Sequence, residues 1–215
     1  MQKAAISVTN ERMRVSPRER SGDHGAPASE RVGGGRGGEA PRTKMSATLA
    51  RAEAADYYAT YINQVPDGEI CAVLEVQLED SAAILSGISE ARSLHRYAPG
   101  KWTIKEVLGH INDTERVFAF RAFWFGRGCG EPMPSFDQDV AVASAASNDR
   151  LWVSHVAEFR AIRAATLALF SQLPADAWAR RGVASGHPVS VRALAYITAG
   201  HLAHHMRILR EQYLR

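Results

Sequence analysis

Cysteine is nearly missing from this chain of 215 residues, with Cys71 and Cys129 the two present. That excludes a disulfide framework, and the lack of any Cys-x-x-Cys pair argues against a thiolate-rich structural zinc site. A reducing cytoplasm is the expected setting, with both cysteines serving as small, semi-buried apolar side chains. No stretch approaches the roughly 18 apolar residues of a membrane span. The chain's start also lacks the apolar core, about 7 to 15 residues long, of a secretory signal. A membrane partner is therefore not expected. Strand-length alternation of apolar and polar residues is lacking too, which leaves the all-α class.

Large apolar residues are scarce in residues 1 to 44, which hold seven of the 17 glycines, including Gly33-Gly34-Gly35-Arg36-Gly37-Gly38. This composition predicts a disordered Gly/Arg-rich extension, with Met45 an alternative start of the chain. Its net charge is +4, against −1 for residues 45 to 215, so the basic balance belongs to the extension. A Gly/Arg segment of this kind can contact nucleic acid phosphates, but one Arg-Gly-Gly is weak grounds for it. The folded domain is expected to span residues 45 to 215.

Four amphipathic segments fill that domain. The first follows Val65-Pro66-Asp67-Gly68, with Asp67 a candidate N-cap, and runs to about Gly87 on a stripe including Ile70, Leu74, Leu78 and Leu85. The second begins at Thr103-Ile104-Lys105-Glu106, a T-x-x-E capping box, and ends at the glycines 126, 128 and 130. The third spans about Asn148 to Leu173 and is stopped by Pro174. The fourth starts at Ser190 and reaches about Tyr213. Four such helices predict a four-helix bundle with one core. The connection from Gly128 to about Ser147 is long, and loops of that length are often functional.

Metal sites in bundles are built from inward side chains on facing helices. Within Gly200-His201-Leu202-Ala203-His204-His205, His201 and His205 stand one turn apart on one face, so both rings can reach one point. His204 competes with His205, because a spacing of three also pairs with His201, and spacing leaves that choice open. His110 falls on the apolar stripe of the second segment and is the candidate third ligand. Three histidines with an open position are the pattern of a catalytic metal site. The ordinary alternative is a core histidine bonded to a carbonyl. Asp113, one turn from His110, is a candidate general base or a partner that orients a ligand ring. Arg121, on the same face, could hold an anionic substrate, a salt bridge within the bundle being its ordinary use. His24, His95, His155 and His187 have no partner at ligand spacing and are expected in surface or capping roles.

The segments Pro99-Gly100-Lys101-Trp102-Thr103-Ile104-Lys105-Glu106-Val107-Leu108-Gly109-His110, Asp113-Thr114-Glu115-Arg116, Phe136-Asp137-Gln138-Asp139, Ser190-Val191-Arg192-Ala193-Leu194 and Gly200-His201-x-x-His204-His205 together resemble the DinB-like (DinB/YfiT) family of metalloenzymes. The likeness covers about residues 53 to 214. It implies an up-down-down-up four-helix bundle and a divalent metal, zinc or nickel, held by His110, His201 and His205, with His204 left flanking. It also implies chemistry on small molecules: thiol S-transfer, a thiol-dependent isomerisation, or hydrolysis. A low-molecular-weight thiol is then a possible cofactor, a small electrophile or thiol the partner, and a homodimer a common assembly. The second reading is a non-catalytic bundle that binds a metal or small ligand. Nucleic-acid binding through residues 1 to 44 is a distant third, since the domain itself has no basic stripe.

Overall fold

The computed structural model describes residues 46–215. The expectations made of residues 1 to 44, their disorder and any phosphate contacts, lie outside the described residues. Among the described residues, helices run in the order α1 (Ala47–Ala52), α2 (Ala59–Ile62), α3 (Ile70–Ser86), α4 (Glu90–Ser93), α5 (Ile104–Gly126), α6 (Gln138–Ser144), α7 (Trp152–Ser171) and α8 (Val191–Ile208). A π-helical turn, Leu209–Tyr213, closes α8. Strands β1 (Arg181–Ala184) and β2 (His187–Ser190) precede α8. No helix among the described residues is long and apolar enough to cross a membrane.

The four long helices form the expected bundle, and side-chain contacts fix their directions. Along α5 and α7, Asn112 approaches Glu158, Glu115 meets Arg163, and Arg116 also reaches Glu158, so the two helices run parallel. α3 runs against α7, because Trp152 at the start of α7 donates to the Leu85 carbonyl near the end of α3 while Gln77 meets Arg163. Gln77 also donates to the Ala199 carbonyl, and the later residues Ala82 and Leu85 pack with Leu202 and Met206, so α3 and α8 run parallel. The order is up, down, down, up.

Capping explains most boundaries. Thr103 and Glu106 make both bonds of the capping box at the head of α5, the Thr103 amide donating to Glu106 Oε2 at 2.7 Å and the Glu106 amide to Thr103 Oγ1 at 3.1 Å. Asn148 is locked to the same corner, accepting from Thr103 Oγ1 and donating to Glu106 Oε1. Ser190 Oγ caps α8 by accepting from the Ala193 amide at 2.9 Å.

Several expectations need correction. Asp67 does not cap α3; the helix begins at Ile70, so Glu69 stands at the N-cap, its carboxylate accepting from the Cys71 and Ala72 amides, and Asp67 lies two residues too early. The third segment becomes regular helix at Trp152, after a 3₁₀ turn at Ser147–Asp149. The connection after Gly128 contains α6, which Asp137 caps through the Asp139 and Val140 amides. A β-hairpin stands where no strand was expected. Its two-residue turn, Ser185-Gly186, has φ of 54° and 80°, the left-handed pair that matches strand twist. Each strand is four residues long and carries Gly182 or Pro188, too little for an alternation signal. His155 is fully buried rather than on the surface, its Nε2 donating to the Ser147 carbonyl at 2.9 Å.

The core divides into two apolar clusters along the bundle axis. One gathers Ile70, Leu74, Phe118, Phe125, Phe170 and residues 193 to 197, the other Leu85, Leu108, Ile111, Phe159, Leu202 and Met206. Between them, every long helix contributes polar side chains: Gln77 from α3, His110 and Glu115 from α5, Arg163 from α7 and His201 from α8. Burying such groups is costly unless they satisfy one another. The candidate site lies in this polar layer.

A three-histidine centre beside an aromatic cavity

His110 on α5 and His201 and His205 on α8 converge, with one ring nitrogen of each within 4.8 Å of the others. His110 Nε2 lies 3.0 Å from His201 Nε2, a distance at which one neutral ring donates and the other accepts. Ring centroids of His201 and His205 are 4.5 Å apart, and those of His110 and His205 4.8 Å. Trp102 lies against His110, and Phe118 presents an edge to His201. When His110 Nε2 is the acceptor of its pair with His201, the ring's proton sits on Nδ1, from which Thr114 Oγ1 can accept at 3.4 Å. That contact spans one turn of α5.

Burial keeps all three imidazoles neutral. It holds His110 down to about 4, with charge on His204 adding to the effect. His205 is held down to about 3, by burial first and then by His110 and His204. For His201 burial again leads, the neighbouring histidines and Arg163 acting in the same direction, and the ring sits well below the ordinary histidine range. Neutral rings with convergent lone pairs are the form in which histidine ligates.

The donor set fits a divalent cation. Nitrogens bound tetrahedrally at about 2.0–2.1 Å lie roughly 3.4 Å apart, and those here are all within 4.8 Å, with His110 Nε2 and His201 Nε2 3.0 Å apart. A cation would leave one tetrahedral position for another ligand.

His204 faces elsewhere, with Nδ1 3.4 Å from Gln64 Nε2 and its ring against Tyr61. Geometry thus separates the two residues that spacing left equivalent. Asp113 is not brought to the histidines. Its half-exposed carboxylate accepts from Arg116 at 3.0 Å. Arg121 is buried and lines the cavity described next. The salt bridge expected for it is absent among the described residues; Nη2 instead donates to the Pro134 carbonyl at 2.7 Å and to Ser185 Oγ at 3.1 Å.

A cavity of about 750 Å³ opens beside the centre, reaching His201 and Thr114 at one end and Arg121 at the other. Tyr57, Tyr58 and Tyr61 form part of its wall, as does Phe136 from the long connection. His187, in the hairpin, also lines it. The tyrosines come from the α1–α2 region, which sequence periodicity did not pick out. One signal was available: Gly200. A Cβ at that position would stand 2.1 Å from the Tyr61 carbonyl oxygen, so only glycine lets α2 cross α8 this closely. Glu53 anchors the same region to the head of α8, accepting from Arg192 at 2.9 Å and from Ser190 Oγ at 2.7 Å.

Fold and centre together define a helical bundle with a three-histidine cluster opening on a small-molecule cavity. Residues 74–209 match the model of the DinB superfamily, and the chain belongs to that family. Two solved structures share the fold. YfiT from Bacillus subtilis, described as "a probable metal-dependent hydrolase with an unusual four-helix bundle topology", matches with a TM-score of 0.56 at 16% identity, covering 81% of this chain and 93% of YfiT. The mycothiol-dependent maleylpyruvate isomerase matches with a TM-score of 0.55 at 14% identity, over 64% of this chain and 58% of the isomerase. Among curated proteins, none matches the chain in sequence.

Proposed function

We propose that this protein is a metalloenzyme in which His110, His201 and His205 hold a divalent cation and a small electrophilic substrate is attacked by a thiol or by water. The convergence of three buried, neutral imidazoles within 4.8 Å, beside a cavity of small-molecule size, carries this reading. A cation bound there supplies the Lewis acidity that makes a thiol or water acidic enough to act as a nucleophile near neutral pH. The chain's own residues supply the rest. Thr114 fixes the His110 tautomer, Trp102 and Phe118 pack the rings and limit water, and the tyrosine wall orients an apolar substrate.

Imidazole donors suit zinc and nickel alike. The relatives support the chemistry in outline, one described as a metal-dependent hydrolase and the other as mycothiol-dependent. We read Asp113, tied to Arg116, as supporting the bundle surface rather than acting as a base.

The test is metal content of the untagged protein together with its melting temperature. One equivalent of zinc or nickel, and a rise in melting temperature on metal addition that disappears in His201→Ala, is the expected result. A ligand present at 100 times its Kd stabilises by about 2.7 kcal/mol. Absence of bound metal, with His201→Ala melting like the parent under metal, overturns the reading. Turnover of thiols with epoxides or halogenated aromatics, lost in His205→Ala, then separates an enzyme from a metal-binding module.

A further inference from the structure

Four cationic side chains are buried among the described residues: Lys105, Arg121, Arg163 and Arg192. Three face a carboxylate. Lys105 pairs with Glu90, Arg163 with Glu115 at 2.8 Å, and Arg192 with Glu53 at 2.9 Å. Arg121, 3% exposed, has no carboxylate within ion-pair distance among the described residues. Its hydrogen-bond acceptors are neutral, the Pro134 carbonyl and the Ser185 hydroxyl. Asp56 also lines the cavity but is exposed and lies beyond that distance. A buried guanidinium without a counter-charge is costly, and this one borders a cavity.

We infer that Arg121 and Tyr58 form a carboxylate subsite at the end of the cavity away from the histidines, so that the molecule reacting at the histidines is an elongated acid with an apolar or aromatic body. The inference rests on the proposed metal reading only for which end of that molecule reacts. Arg121 suits a carboxylate because its charge is permanent and its Nη1 remains to donate, while the bonds from both Nη2 hydrogens to Pro134 and Ser185 hold the guanidinium plane fixed. The Tyr58 phenol lies beside the guanidinium and stays protonated, since burial pushes its pKa up more than Arg121 pulls it down; it is a donor for the same anion.

Spacing sets the length of the molecule. His110, Thr114, Phe118 and Arg121 follow one stripe of α5, and eleven residues of helix rise roughly 16 Å. Helical side chains lean toward the N-terminus, so Arg121 reaches back toward the histidines and shortens that span. Between the two ends the wall is aromatic, formed by Tyr57, Tyr61, Phe118 and Phe136. A short or wholly polar acid would leave this surface uncovered.

The test uses the full-length chain, metal-replete and after EDTA treatment, with phenylbutanoate and the matching neutral amide as probes in calorimetric titration. The acid is expected to bind at least about tenfold more tightly than the amide, a difference of about 1.4 kcal/mol. That preference should survive EDTA, vanish in Arg121→Met and persist in Ser185→Ala. Equal binding of acid and amide to the parent chain overturns the subsite. So does a preference that outlives Arg121→Met, which would place the anion elsewhere, or one that vanishes with EDTA, which would mean that the carboxylate coordinates the cation. Should Arg121→Met not fold, the acid and amide comparison on the EDTA-treated parent chain decides. Failure of the metal reading would appear as missing metal while the acid preference stood, so the two failures are distinct.

Discussion

Replacing Arg163 by methionine removes the cation that pairs with the Glu115 carboxylate in the middle of the bundle. Both side chains are almost wholly excluded from solvent, Arg163 at 0% and Glu115 at 3% exposure. The guanidinium donates to Glu115 at 2.8 Å through Nη2 and to Gln77 at 3.2 Å through Nη1. Without it the carboxylate keeps its burial and loses its counter-charge. Breaking a buried pair on one side costs about 3–5 kcal/mol. For a domain of this size 1 kcal/mol shifts the melting temperature by about 2–4 °C, so Arg163→Met should melt roughly 6–20 °C lower than the parent. The pair as a whole is far less valuable than either half. The double variant Arg163→Met with Glu115→Leu removes both charges and keeps the volume, and should recover most of the loss or exceed parental stability. Thermal and urea denaturation of parent, both single variants and the double variant close a thermodynamic cycle, with an expected coupling of at least about 2 kcal/mol. If Arg163→Met costs less than about 1 kcal/mol, or the double variant loses the sum of the singles, the account of the polar layer as mutually satisfied charge is wrong.

Gly200→Ala should destabilise the chain by about 1–3 kcal/mol, the usual range for overpacking, because the added carbon meets the Tyr61 carbonyl at 2.1 Å. A variant melting as the parent does, with an unchanged Tyr61 environment in fluorescence or NMR, would show that this crossing is not tight. Stability in the absence of metal should depend on pH through His110 and His205. Their folded values, about 4 and about 3, lie below the ordinary 6.5, so on acidification the unfolded chain takes up protons first. Their contribution is complete above about pH 6.5 and is lost as pH falls toward the folded values, at roughly 1.4 kcal/mol per unit per ring. EDTA-treated protein whose stability stays level between those limits would contradict this, as would a His110→Gln variant with the parental slope.

Much of this molecule could be read from its residues because the relevant signals are local. Thr103 and Glu106 form their box within one turn, Ser190 caps its own helix, and the spacing of His201 and His205 is intrinsic to an α-helix. His110 could be placed on the right stripe because apolar residues three and four positions away mark it. Spacing left His204 and His205 open and the family resemblance favoured His205; the neighbours that His204 meets in the fold, Gln64 and Tyr61, lie some 140 positions upstream, beyond any local pattern. α1 and α2 are six and four residues long, too short for a helical period to register. They are held by Glu53, Arg192 and the close approach at Gly200, none of which has a local pattern. Of the two roles weighed for Arg121, the salt bridge is not found among the described residues, and the neutral partners it has instead, on the Pro134 segment and the hairpin turn, carry no local signal. The hairpin did carry a legible Ser-Gly turn, hidden by the brevity of its strands.

The crossing of α2 over Gly200 also separates two kinds of change. The stretch that matches the DinB superfamily begins at residue 74 and includes all three histidines, whereas Tyr57, Tyr58 and Tyr61 lie before it. Substitutions at Tyr57 and Tyr58 can therefore reshape the chamber without touching the three rings, whereas Tyr61, whose ring meets His201, bears on both. A fragment cut at the start of the matched stretch would keep the histidines and lose the tyrosine wall. Grafting this short segment between relatives would exchange a cavity wall while leaving the histidine cluster of α5 and α8 in place.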